Sequence, residues 1–209
     1  MDLFILFLEI VGTVSFALSG AVTALKKNMD IFGVCILGIT AAVGGGIIRD
    51  ITLGLTPPSA LLDSRYILIS IITSVLIFIP NIRRFINSRP HLYEVLILVT
   101  DSLGLGIFTV CGLKVGIDSG FSENPLLLTF ISVVTGVGGG VLRDVFAGER
   151  PYIFVKHIYA CAAIAGALVS YLLWSFGEYY AMSAGLVLIV AIRFLAAKFH
   201  WSLPKAKEF

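Results

Sequence analysis

The sequence has few charged residues, which sets it apart from ordinary soluble domains. Charged residues make up 13% of its 209 positions, whereas about a quarter is typical of soluble proteins. The formal net charge is only +2, and the basic residues lie in short segments between apolar runs. We therefore predict no nucleic-acid partner.

Cysteine and histidine are scarce and scattered. Each of the three cysteines lies in a separate apolar run, and the sequence has no CxxC pair or Cys/His cluster. This spacing favours small buried thiols over metal ligands. The histidines, at His91, His157 and His200, fall in different segments without metal-ligand spacing. We find no catalytic set, and we predict no enzyme activity, no metal and no cofactor.

Apolar residues dominate the chain. The sequence is 58% hydrophobic with a mean hydropathy of +1.00, which indicates an integral, all-α membrane protein. A helix that crosses a bilayer needs about 20 apolar residues. On this basis we predict seven transmembrane helices, over about 3–25, 31–54, 59–79, 92–113, 125–147, 152–175 and 180–198.

The loops predict an orientation for these helices. One side carries most of the loop and tail cations: Lys26, Lys27, Arg83, Arg84, Arg89, Arg150, Lys198, Lys205 and Lys207. The opposite side has Lys114 as its one clear basic loop residue, beside Asp118, Glu123 and Glu178. By the positive-inside rule, the N-terminus lies outside and the C-terminus is cytoplasmic.

A glycine motif occurs twice. Gly44-Gly45-Gly46-Ile47-Ile48-Arg49-Asp50 is followed 94 residues later by Gly138-Gly139-Gly140-Val141-Leu142-Arg143-Asp144. A shift of 92 residues superposes Glu9 on Asp101, Gly12 on Gly104 and Phe16 on Phe108. We predict two three-helix repeats, about 3–80 and 92–175, followed by a seventh helix at about 180–198. Because three crossings are an odd number, the second repeat is inverted, and such folds place a pathway between the repeats.

The glycine triplets are expected to weaken their helices. Each glycine costs a helix about 1 kcal/mol relative to alanine, so we predict that the second and fifth transmembrane helices are kinked or interrupted at Gly44 to Gly46 and Gly138 to Gly140. Carbonyl groups freed at such a break would face water or protein and suit a partly dehydrated cation. The alternative is close helix packing, which is our interpretation of Gly33, Gly38 and Gly136.

The two Arg-Asp pairs place ionisable groups inside apolar runs. We predict that Arg49 and Asp50 lie at one mouth of a pathway and Arg143 and Asp144 at the other. Two further acids lie at matching depths, so we predict that Glu9 pairs with Arg49 and that Asp101 pairs with Arg143. Replacing Glu9 by Gln should weaken its mouth without unfolding the protein. The alternative is that both carboxylates lie near the lipid headgroups.

Hydroxyl and aromatic side chains accompany these charges. Ser15, Ser19 and Thr109 could line a pathway, although such hydroxyls more often bond their own backbone. Phe16 and Phe108 occupy equivalent places in the two repeats and could form hydrophobic constrictions, the alternative being core packing.

The doubled Gly-Gly-Gly-x-x-Arg-Asp motif in a seven-span chain resembles the prokaryotic members of the trimeric intracellular cation channel (TRIC) family, also known as glycine-transporter-like bacterial membrane proteins. The resemblance covers nearly the whole chain. It implies a prokaryotic plasma-membrane homotrimer, embedded in membrane lipids, in which each subunit holds a pore between its kinked second and fifth helices. It implies monovalent cations such as potassium and sodium as permeant ions. Animal members bind phosphoinositide through a Lys-Glu-Val stretch, where this sequence has Arg143-Asp144-Val145.

Three functions remain open from the sequence. The first is a potassium-permeable channel. The second is an alternating-access transporter of a small neutral amino acid such as glycine, because inverted repeats with broken helices are typical of secondary transporters. The third, a membrane scaffold without a pathway, leaves the duplicated glycines unexplained. Single-channel current and saturable glycine uptake separate the first two.

Overall fold

The chain is an all-helical, multi-pass membrane protein. A computed structural model describes residues 2–155 and 158–201; the predicted cytoplasmic residues Lys205 and Lys207, and also His157, lie outside them. The described part contains ten α-helices: α1 (Leu3–Lys26), α2 (Ile31–Thr52), α3 (Ser59–Leu62), α4 (Ser64–Phe78), α5 (Pro80–Asn87), α6 (Pro90–Gly116), α7 (Pro125–Phe146), α8 (Tyr152–Val155), α9 (Ala160–Leu173) and α10 (Glu178–Lys198). A π-helical turn, Ile117–Phe121, extends α6, and a 3₁₀ turn, Trp174–Phe176, extends α9.

Five helical stretches are long and apolar enough to cross a membrane: Leu3–Lys26, Ile31–Thr52, His91–Phe121, Pro125–Phe146 and Glu178–Lys198. They correspond to the first, second, fourth, fifth and seventh predicted spans. The third and sixth predicted spans are shorter helices. Asp63 separates α3 from α4, and α4 bends by 74° into α5 at Pro80, where a main-chain donor is missing. The shorter apolar helix Ala160–Phe176 takes the place of the sixth.

The ends of α2 and α7 have the same structure, and both depend on glycine. Gly54 and Gly148 adopt the left-handed conformation, with φ of +74° and +68°. The next residue after each glycine then donates its N–H to the carbonyl of the preceding Asp50 or Asp144, at 2.8 Å in both cases. This is the Schellman arrangement, and glycine adopts its positive φ without strain.

Four long helices form the centre of the molecule. Helix α1 packs on α2 and α6, and α7 packs on α2 and α6. Helix α4 lies against α1 and α2, and α9 lies against α6 and α7. Helix α10 covers α6 and α9. Each half of the chain therefore has two long helices flanked by a shorter one.

The glycine triplets lie where α2 crosses α7, and both helices continue through them without a break. The predicted interruption, with its freed carbonyl groups, is wrong; a bend at the triplets stays a prediction. A Cβ added at Gly45 would clash with the carbonyl oxygen of Thr135, and one at Gly139 with that of Ala41. The glycines thus let the two backbones touch, so the close-packing alternative describes these two positions.

Candidate functional site

The Arg49 cluster lies at the C-terminal end of α2. Arg49 Nε donates to Asp50 Oδ1 at 2.7 Å, and Arg49 Nη2 lies 2.7 Å from the same oxygen. Asp50 Oδ2 accepts from the main-chain N–H of Ser59 at 2.8 Å and from its Oγ at 2.7 Å. Ser59, at the N-terminus of α3, thereby orients the Asp50 carboxylate, and this carboxylate binds the buried guanidinium of Arg49.

Glu9 has a different partner from the one that the sequence predicts. Its Oε2 accepts from the Tyr66 hydroxyl at 2.5 Å, and no described ion pair joins it to Arg49. The predicted Glu9–Arg49 pair is therefore wrong. The physical reason is that Asp50 and Ser59 already satisfy Arg49 locally. Sequence reasoning missed Ser59 and Tyr66; their equivalents in the second half, 93 residues on, are Tyr152 and Tyr159.

The Arg143 cluster confirms the second predicted pair. Arg143 Nη1 pairs with Asp101 Oδ1 and donates to Ser19 Oγ at 2.5 Å. Arg143 Nε donates to Asp144 Oδ1 at 2.8 Å, and Asp144 Oδ2 accepts from the Tyr152 N–H at 2.9 Å. Arg143 and Asp101 are 1% and 0% exposed. This guanidinium thus has two carboxylates from two helices inside the fold.

The remaining predicted residues differ in their surroundings. Ser15 is buried, and Thr109 donates to the carbonyl of Leu105 in its own helix at 2.6 Å, as the backbone-bonding alternative expects. Phe16 and Phe108 stack on each other with ring centroids 5.5 Å apart. They meet where α1 crosses α6, next to Gly104 and Gly12 respectively, so the two predicted constrictions form one contact.

Two cavities with charged residues in their linings lie at opposite ends of α1. We call the first the Glu9 cavity. It consists of an outer part of about 430 Å³ and an inner part of about 40 Å³, both lined by Glu9, Arg49, Ser59 and Tyr66. Its inner part reaches Thr13, Gly46, Phe108 and Cys111.

The second, the Arg143 cavity, has a volume of about 470 Å³ and is lined by Thr23, Lys26, Lys27, Tyr93, Arg143, Asp144, Gly148, Glu149, Arg150 and Tyr152. The two cavities have no described lining residue in common. Ten residues of α1 separate Thr13 from Thr23, or about 15 Å along the helix. Phe16 and Ser19 lie in this interval. Over the described residues, no group of His, Cys, Asp and Glu could hold a metal ion.

Comparisons with known proteins identify the family. The "Glycine transporter" family model matches residues 6–81 and again 98–175. The Escherichia coli K12 protein "UPF0126 inner membrane protein YadS" is 37% identical, over 94% of this chain and 93% of that protein. A solved structure described as "Structural basis for conductance through TRIC cation channels" is 33% identical, covers 97% of both chains and has a TM-score of 0.85. The chain belongs to the prokaryotic TRIC family.

A second solved TRIC structure is similar to this chain to about the same extent. It is described as the "TRIC trimeric intracellular cation channel orthologue from Rhodobacter sphaeroides". It is 31% identical, covers 96% of this chain and all of its own, and has a TM-score of 0.86. The TRIC fold therefore extends over essentially the whole molecule.

Proposed function

We propose that this TRIC-family chain is a potassium-permeable monovalent cation channel, with a pore inside each subunit of a homotrimer. Its solved relatives, described as cation channels, support the function, and the "trimeric" description of one supports the assembly. The glycine-carrier alternative has no counterpart among those solved relatives.

The observation that carries the proposal is the balance of charge at the two clusters. Each arginine would repel a cation if it were unpaired, but Arg49 is paired with Asp50, and Arg143 with Asp101 and Asp144. Glu9 lines both parts of its cavity, and among the described basic side chains none forms an ion pair with it. A negative charge therefore remains at this mouth, which favours cations over anions.

The proposed route runs from the Glu9 cavity to the Arg143 cavity between α1, α2, α6 and α7. Phe108 lines the inner end of the Glu9 cavity, and Phe16, Ser19 and Asp101 follow it along α1 and α6 toward the Arg143 cavity. We infer that this structure is a closed state, because the cavities have no described lining residue in common. Opening requires the two rings to separate, and a bend of α2 and α7 at their glycine triplets would move the helices around them.

We further propose that the two halves are inverted repeats. Four contacts support this: Gly45 meets Thr135 as Gly139 meets Ala41, and Gly12 meets Phe108 as Gly104 meets Phe16. A shift of 94 residues relates the first two of these contacts to each other, and a shift of 92 residues relates the last two. One family model also matches both halves. Inversion then makes α4 and α9 short third and sixth crossings in a seven-span topology, with the N-terminus outside and the C-terminus cytoplasmic.

The experiment is reconstitution of the purified full chain in planar bilayers and in vesicles. We expect discrete potassium openings in the bilayer, with a reversal potential in a KCl gradient that lies toward the potassium equilibrium potential. Saturable uptake of labelled glycine into vesicles without such openings would contradict the proposal and favour a carrier.

Glu9→Gln tests the charge argument. A unit charge about 4 Å from an ion contributes about 1 kcal/mol in water, a roughly fivefold change in ion occupancy. We therefore expect Glu9→Gln to lower single-channel conductance by up to about fivefold at low KCl, with a smaller effect at high salt because of screening. Glu123→Gln, in an exposed loop on the same predicted side, is the matched control. Unchanged conductance in Glu9→Gln at low salt would remove Glu9 from the pathway.

A further inference from the structure

Arg193 is a buried cation that the proposed pathway does not use. It is 2% exposed and lies five residues before the end of α10. Its guanidinium lies over the Tyr159 ring, 4.7 Å from the centroid. Within the described part of the chain, its Nε and Nη1 have no hydrogen-bond partner and no carboxylate forms an ion pair with it. A guanidinium buried in a membrane protein without an anion is costly, so a missing partner is indicated.

Arg193 is one of the residues that line a cavity of about 220 Å³ between α6, α10 and the C-terminal end of α1. Lys26 and Tyr93 line it as well, with Lys26 Nζ 4.5 Å from the Tyr93 ring centroid and in no described ion pair. Among the described lining residues, the one carboxylate is that of Glu94, which is exposed. Two cations facing one acid give this cavity a net positive charge.

We propose that this cavity, which we call the Arg193 cavity, binds a phosphate group, either the headgroup of an anionic phospholipid or a free phosphate ion. Guanidinium N–H groups form their strongest hydrogen bonds with oxyanions such as phosphate. The volume exceeds the roughly 30 Å³ of a water molecule several-fold, and thus has room for a phosphate. Phosphate binding at this cavity does not depend on whether the protein conducts ions.

The surroundings of the Arg193 cavity suit a lipid. Ile97 and Leu98 form part of its wall. Val95, Phe194 and Leu195, next to its polar residues in sequence, are 42%, 40% and 43% exposed. An acyl chain could lie along these side chains while its phosphate reaches Arg193 and Lys26. The cavity also adjoins the Arg143 cavity through shared Lys26, Tyr93 and Tyr152.

The test is native mass spectrometry of the purified full chain, titrated separately with phosphatidylglycerol, neutral phosphatidylcholine and inorganic phosphate. We expect phosphatidylglycerol to bind in preference to phosphatidylcholine, and Arg193→Gln to weaken that binding by about tenfold or more. Arg84→Gln, which removes an exposed arginine of α5 that does not line the cavity, should leave binding unchanged. Binding of inorganic phosphate that Arg193→Gln abolishes would identify a free anion as the ligand.

Lys26→Gln keeps the proposal testable if Arg193→Gln does not fold. Lys26 is exposed at the end of α1, so its substitution should preserve the fold and weaken binding by a smaller factor. Arg193→Lys should retain part of the affinity because it keeps the charge. Two results would overturn the proposal. One is equal binding of phosphatidylglycerol to the wild type, to Arg193→Gln and to Lys26→Gln. The other is no preference for phosphatidylglycerol over phosphatidylcholine together with no binding of inorganic phosphate.

Discussion

At the scale of single residues, the two arginine clusters neutralise the same kind of charge with different partners. Arg143 takes its second carboxylate from α6, through Asp101, while Arg49 pairs, among the described acids, only with its sequence neighbour Asp50. The repeat predicted a matching Glu9–Arg49 pair, but depth along a helix determines only which side chains are within reach. The competition from Ser59 and Tyr66 arises from the α3–α4 segment, whose path the glycine motif does not encode.

The acids Glu9 and Asp101 differ in which neighbour they engage. Glu9 accepts a hydrogen bond from Tyr66, whereas Asp101 forms an ion pair with Arg143. The first carboxylate is thus held by a neutral donor and the second by a cation. This difference leads us to expect unequal consequences of removing the two charges.

Asp101→Asn should destabilise the fold more than Glu9→Gln. Asp101 is fully buried against Arg143, and losing a hydrogen bond between charged groups costs about 1.5–3 kcal/mol, although Arg143 keeps Asp144 as a partner. The partly buried Glu9 forms no ion pair with a described residue, so Glu9→Gln breaks none. Reversible unfolding of the purified variants in mixed micelles measures the two changes in free energy. Equal destabilisation by the two substitutions would contradict these assignments.

At the scale of the helices, the glycine triplets serve the crossing of α2 and α7. Gly45 and Gly139 allow the two main chains to touch, while Gly46 meets only the end of the Arg49 side chain, at 3.8 Å from a Cβ position. Gly46 instead lines the inner part of the Glu9 cavity. Within one triplet, therefore, one glycine enables packing and its neighbour leaves space beside the proposed route.

Gly45→Ala and Gly46→Ala should separate these two roles. The methyl group of Gly45→Ala would push against the Thr135 carbonyl, and overpacking of this kind costs about 1–3 kcal/mol. Gly46→Ala should leave unfolding unchanged or improve it, since alanine favours a helix by about 1 kcal/mol, yet it should lower single-channel conductance by narrowing the cavity. Thermal unfolding and bilayer recording on the same preparations measure both effects. Equal stability of the two variants would contradict the crossing assigned to Gly45.

Helix composition predicted the long elements well and their interruptions poorly. Runs such as 31–54 and 125–147 are bounded by Asp30 and by Asn124 with Pro125, which cap α2 and α7 in the structure. The glycine triplets were expected to interrupt these same helices. Intrinsic propensity is a weak preference that tertiary packing overrides, and here the packing is that of α2 against α7. Each triplet packs against the other helix, about 94 residues away in the sequence, and this packing keeps both helices continuous.

At the scale of the whole molecule, the charged clusters and cavities occupy the two ends of the proposed route. The Glu9 cavity and the Arg143 cavity approach each other along α1. Phe108 lines the inner part of the Glu9 cavity, and Phe16 stacks on it. The doubled motif predicted two charged mouths, and the described structure has an Arg-Asp cluster beside each cavity. The doubled motif did not predict that the rings of Phe16 and Phe108 stack on each other, because that contact depends on how α1 crosses α6.

The most direct test of the proposed route is modification of a cysteine at the ring stack during bilayer recording. In a background with Cys35, Cys111 and Cys161 replaced by alanine, a membrane-impermeant, positively charged thiol reagent is added to a Phe108→Cys channel. Phe130→Cys, on the exposed face of α7, is the control. A route past Phe108 predicts a stepwise change in potassium current for Phe108→Cys alone. Unaltered current after confirmed modification of Phe108→Cys would contradict it.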